Sequence, residues 1–173
     1  MIEITKDKIQ TEVVDALSKL QDITASFSNE EINKIPFEGS WTAGELGEHM
    51  IMSNSGFAEM LNGPTDHTER APDEKVEQIK GDFLDFNTKM KSPDSLVPPK
   101  KEYGKQDLLD SLEKIKTSLK VAISSLDLSQ LCKSFELPGY GFLTRLEAIY
   151  FVIFHTQRHI HQLKKIKESL VNV

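Results

Sequence analysis

The chain carries a single cysteine, Cys132, in 173 residues. That excludes an intramolecular disulfide framework and fits a reducing compartment, taken here as the cytoplasm. Cys132 reads as a small buried hydrophobe rather than a nucleophile, because only Lys133 beside it would lower its pKa. Long apolar runs are missing too. The longest, about Tyr150 to Phe154, is far short of the roughly 20 residues a membrane span requires. The start, MIEITKDKIQ, is charged where a secretory leader would be apolar. Basic charge is the minority: 21 Lys and Arg stand against 27 Asp and Glu, for a net charge of -6. A nucleic-acid binder needs clustered cations, so the balance argues against that class. The basic run KKIK, Lys164 to Lys167, falls at the end of a helical pattern, where cations complement the helix dipole. Repeats and low-complexity segments are absent, and 1–173 reads as one domain, large enough to bury its own core.

What is present is helical periodicity. Ile9, Val13, Ala16, Leu17, Leu20, Thr24 and Phe27 recur at three- and four-residue steps, predicting a helix from about Thr5 to Phe27. Thr42 with Glu45 forms a capping-box signature, opening a helix that reaches about Leu61 before NGP stops it. A third stripe, Leu108 through Leu126, predicts a helix from about Lys105 to Leu126. Thr144 with Glu147 is a second capping box and opens a helix running to about Leu170. No strand-like alternation competes, and Leu128 to Leu143 reads as irregular or briefly extended. Between the second and third long helices lies a proline-bearing connection, residues 62–104, with a shorter amphipathic helix predicted from about Asp73 to Met90. Antiparallel neighbours need only short loops, so a connection of this length implies that the helices it joins run parallel. The expected architecture is an all-α four-helix bundle with a long crossover between its second and third helices.

Histidine is sparse, five in all, yet three fall in FHTQRHIHQ. At 100° per residue His155 and His159 lie about 40° apart on one helical face, and His161 lies nearly opposite. The face of His155 and His159 also carries Ala148, Val152, Leu163, Ile166 and Leu170, so the pair points inward and His161 outward. On the second helix His49 shares the apolar stripe of Leu46, Ser53, Gly56, Phe57 and Met60, and Ser53 and Gly56 are small enough to leave room beside a site. Three imidazoles delivered to one core are hard to satisfy without a common partner, and a divalent cation is such a partner. Three histidines leave a coordination position open, the mark of a catalytic ion, and nitrogen donors suit zinc, nickel or iron rather than calcium or magnesium. Glu45, one turn before His49, is a candidate base, although its capping role already explains it. Gln162 is a candidate outer partner of the site. His67, beside Asp66 and Glu69, reads as solvated.

Two blocks, W-T-x-x-E-L-x-x-H (Trp41 to His49) and LTRLEAIYFVIFHTQRHIHQL (Leu143 to Leu163), together with KSPDSLVPP, resemble the DinB/YfiT-like superfamily and its DinB-like domain subgroup. The resemblance implies an up-down-down-up four-helix bundle and a three-histidine metal site mapping onto His49, His155 and His159. It also implies a metal-dependent hydrolase, or a transferase using a low-molecular-weight thiol, and a homodimer. Thiol transfer is placed ahead of hydrolysis on this resemblance alone.

The leading expectation is thus a metal-dependent enzyme acting on a small-molecule substrate, with no nucleic acid or membrane as partner. The alternative is a non-enzymatic dimeric binding or stress-response protein with a structural or vestigial metal site. For that reading, Ile149, Ile153 and Ile160 form a second apolar stripe that would serve as a subunit interface or pack beneath the connection. A third reading leaves all three histidines as metal-free core residues.

Overall fold

The computed structural model describes residues 5–172. Its helices are α1 (Lys6–Ala25), α2 (Ala43–Asn62), α3 (Val76–Leu84), α4 (Lys105–Ser125) and α5 (Arg145–Val171). Four of them, α1, α2, α4 and α5, are the long helices expected from periodicity. Their inward stripes are buried: Val13, Leu17 and Leu20 on α1, Leu112 and Leu119 on α4, Val152, Leu163 and Ile166 on α5. Both capping boxes form. The Thr42 and Thr144 hydroxyls accept from the backbone N–H of Glu45 and Glu147, whose carboxylates accept from the two threonine N–H groups in return.

Contacts between helix ends fix the topology. At the start of α1 the Lys6 ammonium donates to Leu126 O at the end of α4, and at the start of α4 the Lys105 ammonium donates to Phe27 O, so α1 and α4 are antiparallel. Arg145, opening α5, donates from Nε to Leu61 O near the end of α2 at 2.8 Å, making α2 and α5 antiparallel. Lys167, late in α5, donates to Ser26 O and pairs with Glu31 just after α1, so these two helices run parallel. Lys167 therefore ties down its neighbour's end rather than complementing the dipole of its own helix. The α2 helix meets α4 and the residues leading into it at glycines: a Cβ on Gly44 would lie 2.9 Å from the Cβ of Tyr103, and one on Gly47 would lie 3.3 Å from Leu108 Cδ1. The order is up-down-down-up, with the long connection crossing the bundle as expected.

Two expectations are corrected and two that were left open are decided. The connection's helix is shorter than 73–90, because at Leu84 other groups take over its hydrogen bonds. Asp85 Oδ1 accepts from Asn87 N, and Arg158 collects the carbonyls of Phe83, Asp85 and Thr88. Phe86 and Met90 accordingly lie exposed. Extended pairing is also present: β1 (Thr65–Asp66) lies antiparallel to β2 (Leu131–Cys132), stapling the two connections together. Gly56 is exposed and borders no packed neighbour, so it makes no room at a site. Ile149, Ile153 and Ile160 are buried within the single chain, which removes that stripe as a subunit interface. No helix among the described residues is long and apolar enough to cross a membrane.

Candidate metal centre

His49 stands on α2 seven residues beyond the Thr42 cap, and His155 and His159 stand on adjacent turns of α5. The antiparallel contact of α2 with α5 brings the three rings together. Their candidate ligand atoms all lie within 4.8 Å of one another. His155 Nε2 is 3.3 Å from His49 Nε2 and 2.9 Å from His159 Nε2. His49 and His155 are buried and His159 is half-buried.

The outer nitrogen of each ring is held separately. His49 Nδ1 donates to the Leu96 carbonyl at 2.9 Å, and His159 Nδ1 donates to Gln162 Oε1 at 2.9 Å. His155 Nδ1 faces the Ser53 hydroxyl at 3.4 Å. A carbonyl oxygen only accepts, so His49 and His159 carry their ring protons on Nδ1 and, when neutral, present a bare lone pair at Nε2. They are neutral. Burial pushes His49 below the ordinary histidine value and His159 to about 3; burial, and then the neighbouring His159 and His49, hold His155 well below it.

The hydrogen-bonding count then fails to close. Of three converging Nε2 atoms, two are acceptors, and His155 has one proton at most to offer either of them. At least one buried lone pair is left without a donor. A cation satisfies all three at once. The spacing suits it: nitrogens about 2.0–2.1 Å from a tetrahedral ion lie about 3.3 Å apart. Chemistry and geometry together give a group able to hold one divalent metal ion through three protein donors.

Aromatic rings wall the cluster. Trp41 lies 5.1 Å from the His49 ring, and Phe83 and Phe151 lie 5.5 and 5.6 Å from that of His155. The other singled-out residues sort clearly. Gln162 sits where an outer partner of the site belongs. Glu45 is buried with its carboxylate on the Thr42 N–H, the cap its spacing already explained. His161 does not stand free in solvent: it is half-buried and stacks on Phe86, ring centroids 4.1 Å apart. His67 is exposed and its ring pairs with Glu69. Cys132 is buried, and that burial raises its thiol to about 11, which suits a core residue and not a nucleophile.

Three contributors play roles that their residue types did not signal. The Leu96 carbonyl comes from a backbone group 47 positions from His49, and every residue type has one. Ser53 was legible as a small residue on the inward stripe, not as a partner for His155. Glu147 was legible as a cap and turns out to be an anchor as well. Fully buried, it takes two hydrogen bonds from the Arg70 guanidinium and one from Lys75 N at 2.9 Å, so the start of α5 grips the connection.

Known proteins resemble this chain to different depths. The solved structure of YfiT from Bacillus subtilis, described as a probable metal-dependent hydrolase with an unusual four-helix bundle topology, superposes with a TM-score of 0.61 at 16% identity, covering 98% of this chain and 91% of its own. At that identity the likeness is one of fold. The uncharacterized protein YuaE of Bacillus subtilis (strain 168) is 27% identical over 147 residues, 83% of this chain and 87% of YuaE. The sequence pattern of the DinB superfamily matches residues 12–163, from the first helix through the last histidine block. The chain belongs to the DinB superfamily.

Proposed function

We propose that this protein is a metal-dependent enzyme in which His49, His155 and His159 hold a divalent ion that activates water, or a low-molecular-weight thiol, toward a small substrate. The observation that carries the reading is the convergence of three Nε2 atoms sharing at most one proton. Zinc, nickel or iron(II) would suit the donor set. A bound ion of this kind supplies Lewis acidity and lowers the pKa of what it binds. The chain's own residues do the remaining work. Leu96, Ser53 and Gln162 aim the rings, while Trp41, Phe83 and Phe151 keep bulk water from their faces. His159, the half-buried member, is where a substrate would approach.

Three donors rather than four favour an open, catalytic position over a closed structural one: no Cys, Asp or Glu joins the group among the described residues. Likeness to YfiT supports placing hydrolysis first; thiol transfer is the alternative chemistry for the same site. The test loads the purified protein with zinc, nickel or iron(II) and offers model esters, amides and electrophiles with and without small thiols. Turnover abolished by His155→Ala is expected. No turnover with any ion and pairing, from protein shown to hold one ion per chain, would leave the structural reading standing instead.

A further inference from the structure

The electrostatics of the cluster reach further, on the footing of the metal reading above. Metal-bound histidines commonly pass their outer N–H to a carboxylate, which offsets part of the ion's charge. Here none does. The three outer partners are a backbone carbonyl, a serine hydroxyl and a side-chain amide, all neutral. No carboxylate oxygen falls within the ligand cluster among the described residues. Glu45, the acid one turn from His49, has its carboxylate committed to the α2 cap. The charged neighbour that acts on His155 and His159 is Arg158, a cation, whose guanidinium bonds backbone carbonyls. The walls are the aromatic faces of Trp41, Phe83 and Phe151.

A divalent ion in this setting keeps its full double charge in a largely apolar surround, and a buried uncompensated charge is costly. Among the described residues no carboxylate joins the cluster or holds an outer ring nitrogen to offset it, so the remaining ligand must. We infer that the open position selects for anions: the substrate or cosubstrate presents a donor atom that carries negative charge, such as a carboxylate or thiolate, in preference to a neutral donor of similar size. Selection here is electrostatic and comes from what surrounds the three rings.

The experiment uses the full chain loaded with cobalt(II), whose visible absorption reports ligand exchange without any turnover. Azide serves as the small anion and imidazole as the neutral donor, each titrated into wild type and Gln162→Glu. That substitution keeps an acceptor on His159 Nδ1 and adds the missing negative charge. Wild type should bind azide more tightly than imidazole. Gln162→Glu should weaken azide about tenfold while leaving imidazole within about twofold, as a like charge nearby in a poorly screened site requires. Equal changes for the two ligands, or a wild type that prefers imidazole, would overturn the inference while leaving the metal site intact. Absence of cobalt bands from wild type would overturn the metal reading and this inference with it. The wild-type ordering decides the matter if the variant does not fold.

Discussion

His155 is the pivot of the cluster. Its Nε2 faces both other imidazoles and its Nδ1 faces Ser53, so its contacts with His49 and Ser53 join α5 to α2. His159 depends on a neighbour three residues on, Gln162, to hold its tautomer. Removing that neighbour leaves all three donors in place but frees the ring to rotate or to move its proton. Gln162→Ala should therefore lower metal affinity by roughly ten- to a hundredfold, the usual cost of losing an outer partner, with the fold unchanged. His155→Ala should lower it further. Competition with a chelating dye, alongside circular dichroism, measures both; an affinity for Gln162→Ala equal to wild type would remove Gln162 from the account. At this scale the sequence was informative wherever side-chain identity met helical period. Two helices place three imidazoles inward by periodicity alone, and Gln162 follows from the same face. The Leu96 carbonyl could not be read, because a loop's backbone path is set by tertiary packing and leaves no mark in residue type.

At the scale of elements, helix starts explain how the connection is held. Glu147 serves as the cap of α5 and, fully buried, as the counter-ion of Arg70 and acceptor for Lys75 N. One carboxylate thus fixes the helix that carries His155 and the segment that crosses the bundle. Asn33 and Tyr103 do the same at the far end of the connection, exchanging side-chain and backbone hydrogen bonds of 2.7 and 2.9 Å across 70 positions. Arg70→Met leaves the Glu147 charge buried without its partner and should cost about 3–5 kcal/mol, with Arg70→Met/Glu147→Gln recovering part of the loss. Urea unfolding of the two variants checks it. A cost for Arg70→Met below about 1 kcal/mol would show that the pair behaves as a surface contact. The short helix α3 teaches the opposite lesson from the long helices. Val76, Ile79, Phe83, Phe86 and Met90 keep a helical rhythm to the end, yet the helix stops at Leu84. Periodicity could not foresee that Arg158, 70 or more positions away, claims the carbonyls beyond that point.

For the molecule as a whole, the three low-lying histidines couple stability to acidity. Each ring is neutral in the folded chain at pH values where an unfolded chain's histidine, with its ordinary value of 6.5, takes up a proton. The unfolded state binds more protons in that window, so folding stability rises with pH there and falls on acidification. The window opens near pH 6.5 and extends toward the value of about 3 for His159. With chelator present, stability should fall as pH drops from 7 to 5, by at most about 1.4 kcal/mol per pH unit for each ring. His159→Gln should make the decline shallower. A pH-independent midpoint in urea over that range would contradict the assignment of buried, neutral rings. The bundle's topology was legible from connection length, since 42 residues between α2 and α4, from 63 to 104, are what a parallel pair needs. The closeness of that pair rests on Gly44 and Gly47, which face Tyr103 and Leu108, and a glycine's spacing alone does not say what approaches it.

The central claim is that His49, His155 and His159 bind one ion together. X-ray absorption at the zinc edge, on zinc-loaded protein purified without a polyhistidine tag, tests it most directly. Three imidazole nitrogens at about 2.0–2.1 Å are expected, with loss of that pattern in His155→Ala. A shell with one imidazole or none, or a spectrum unchanged by the substitution, would contradict it.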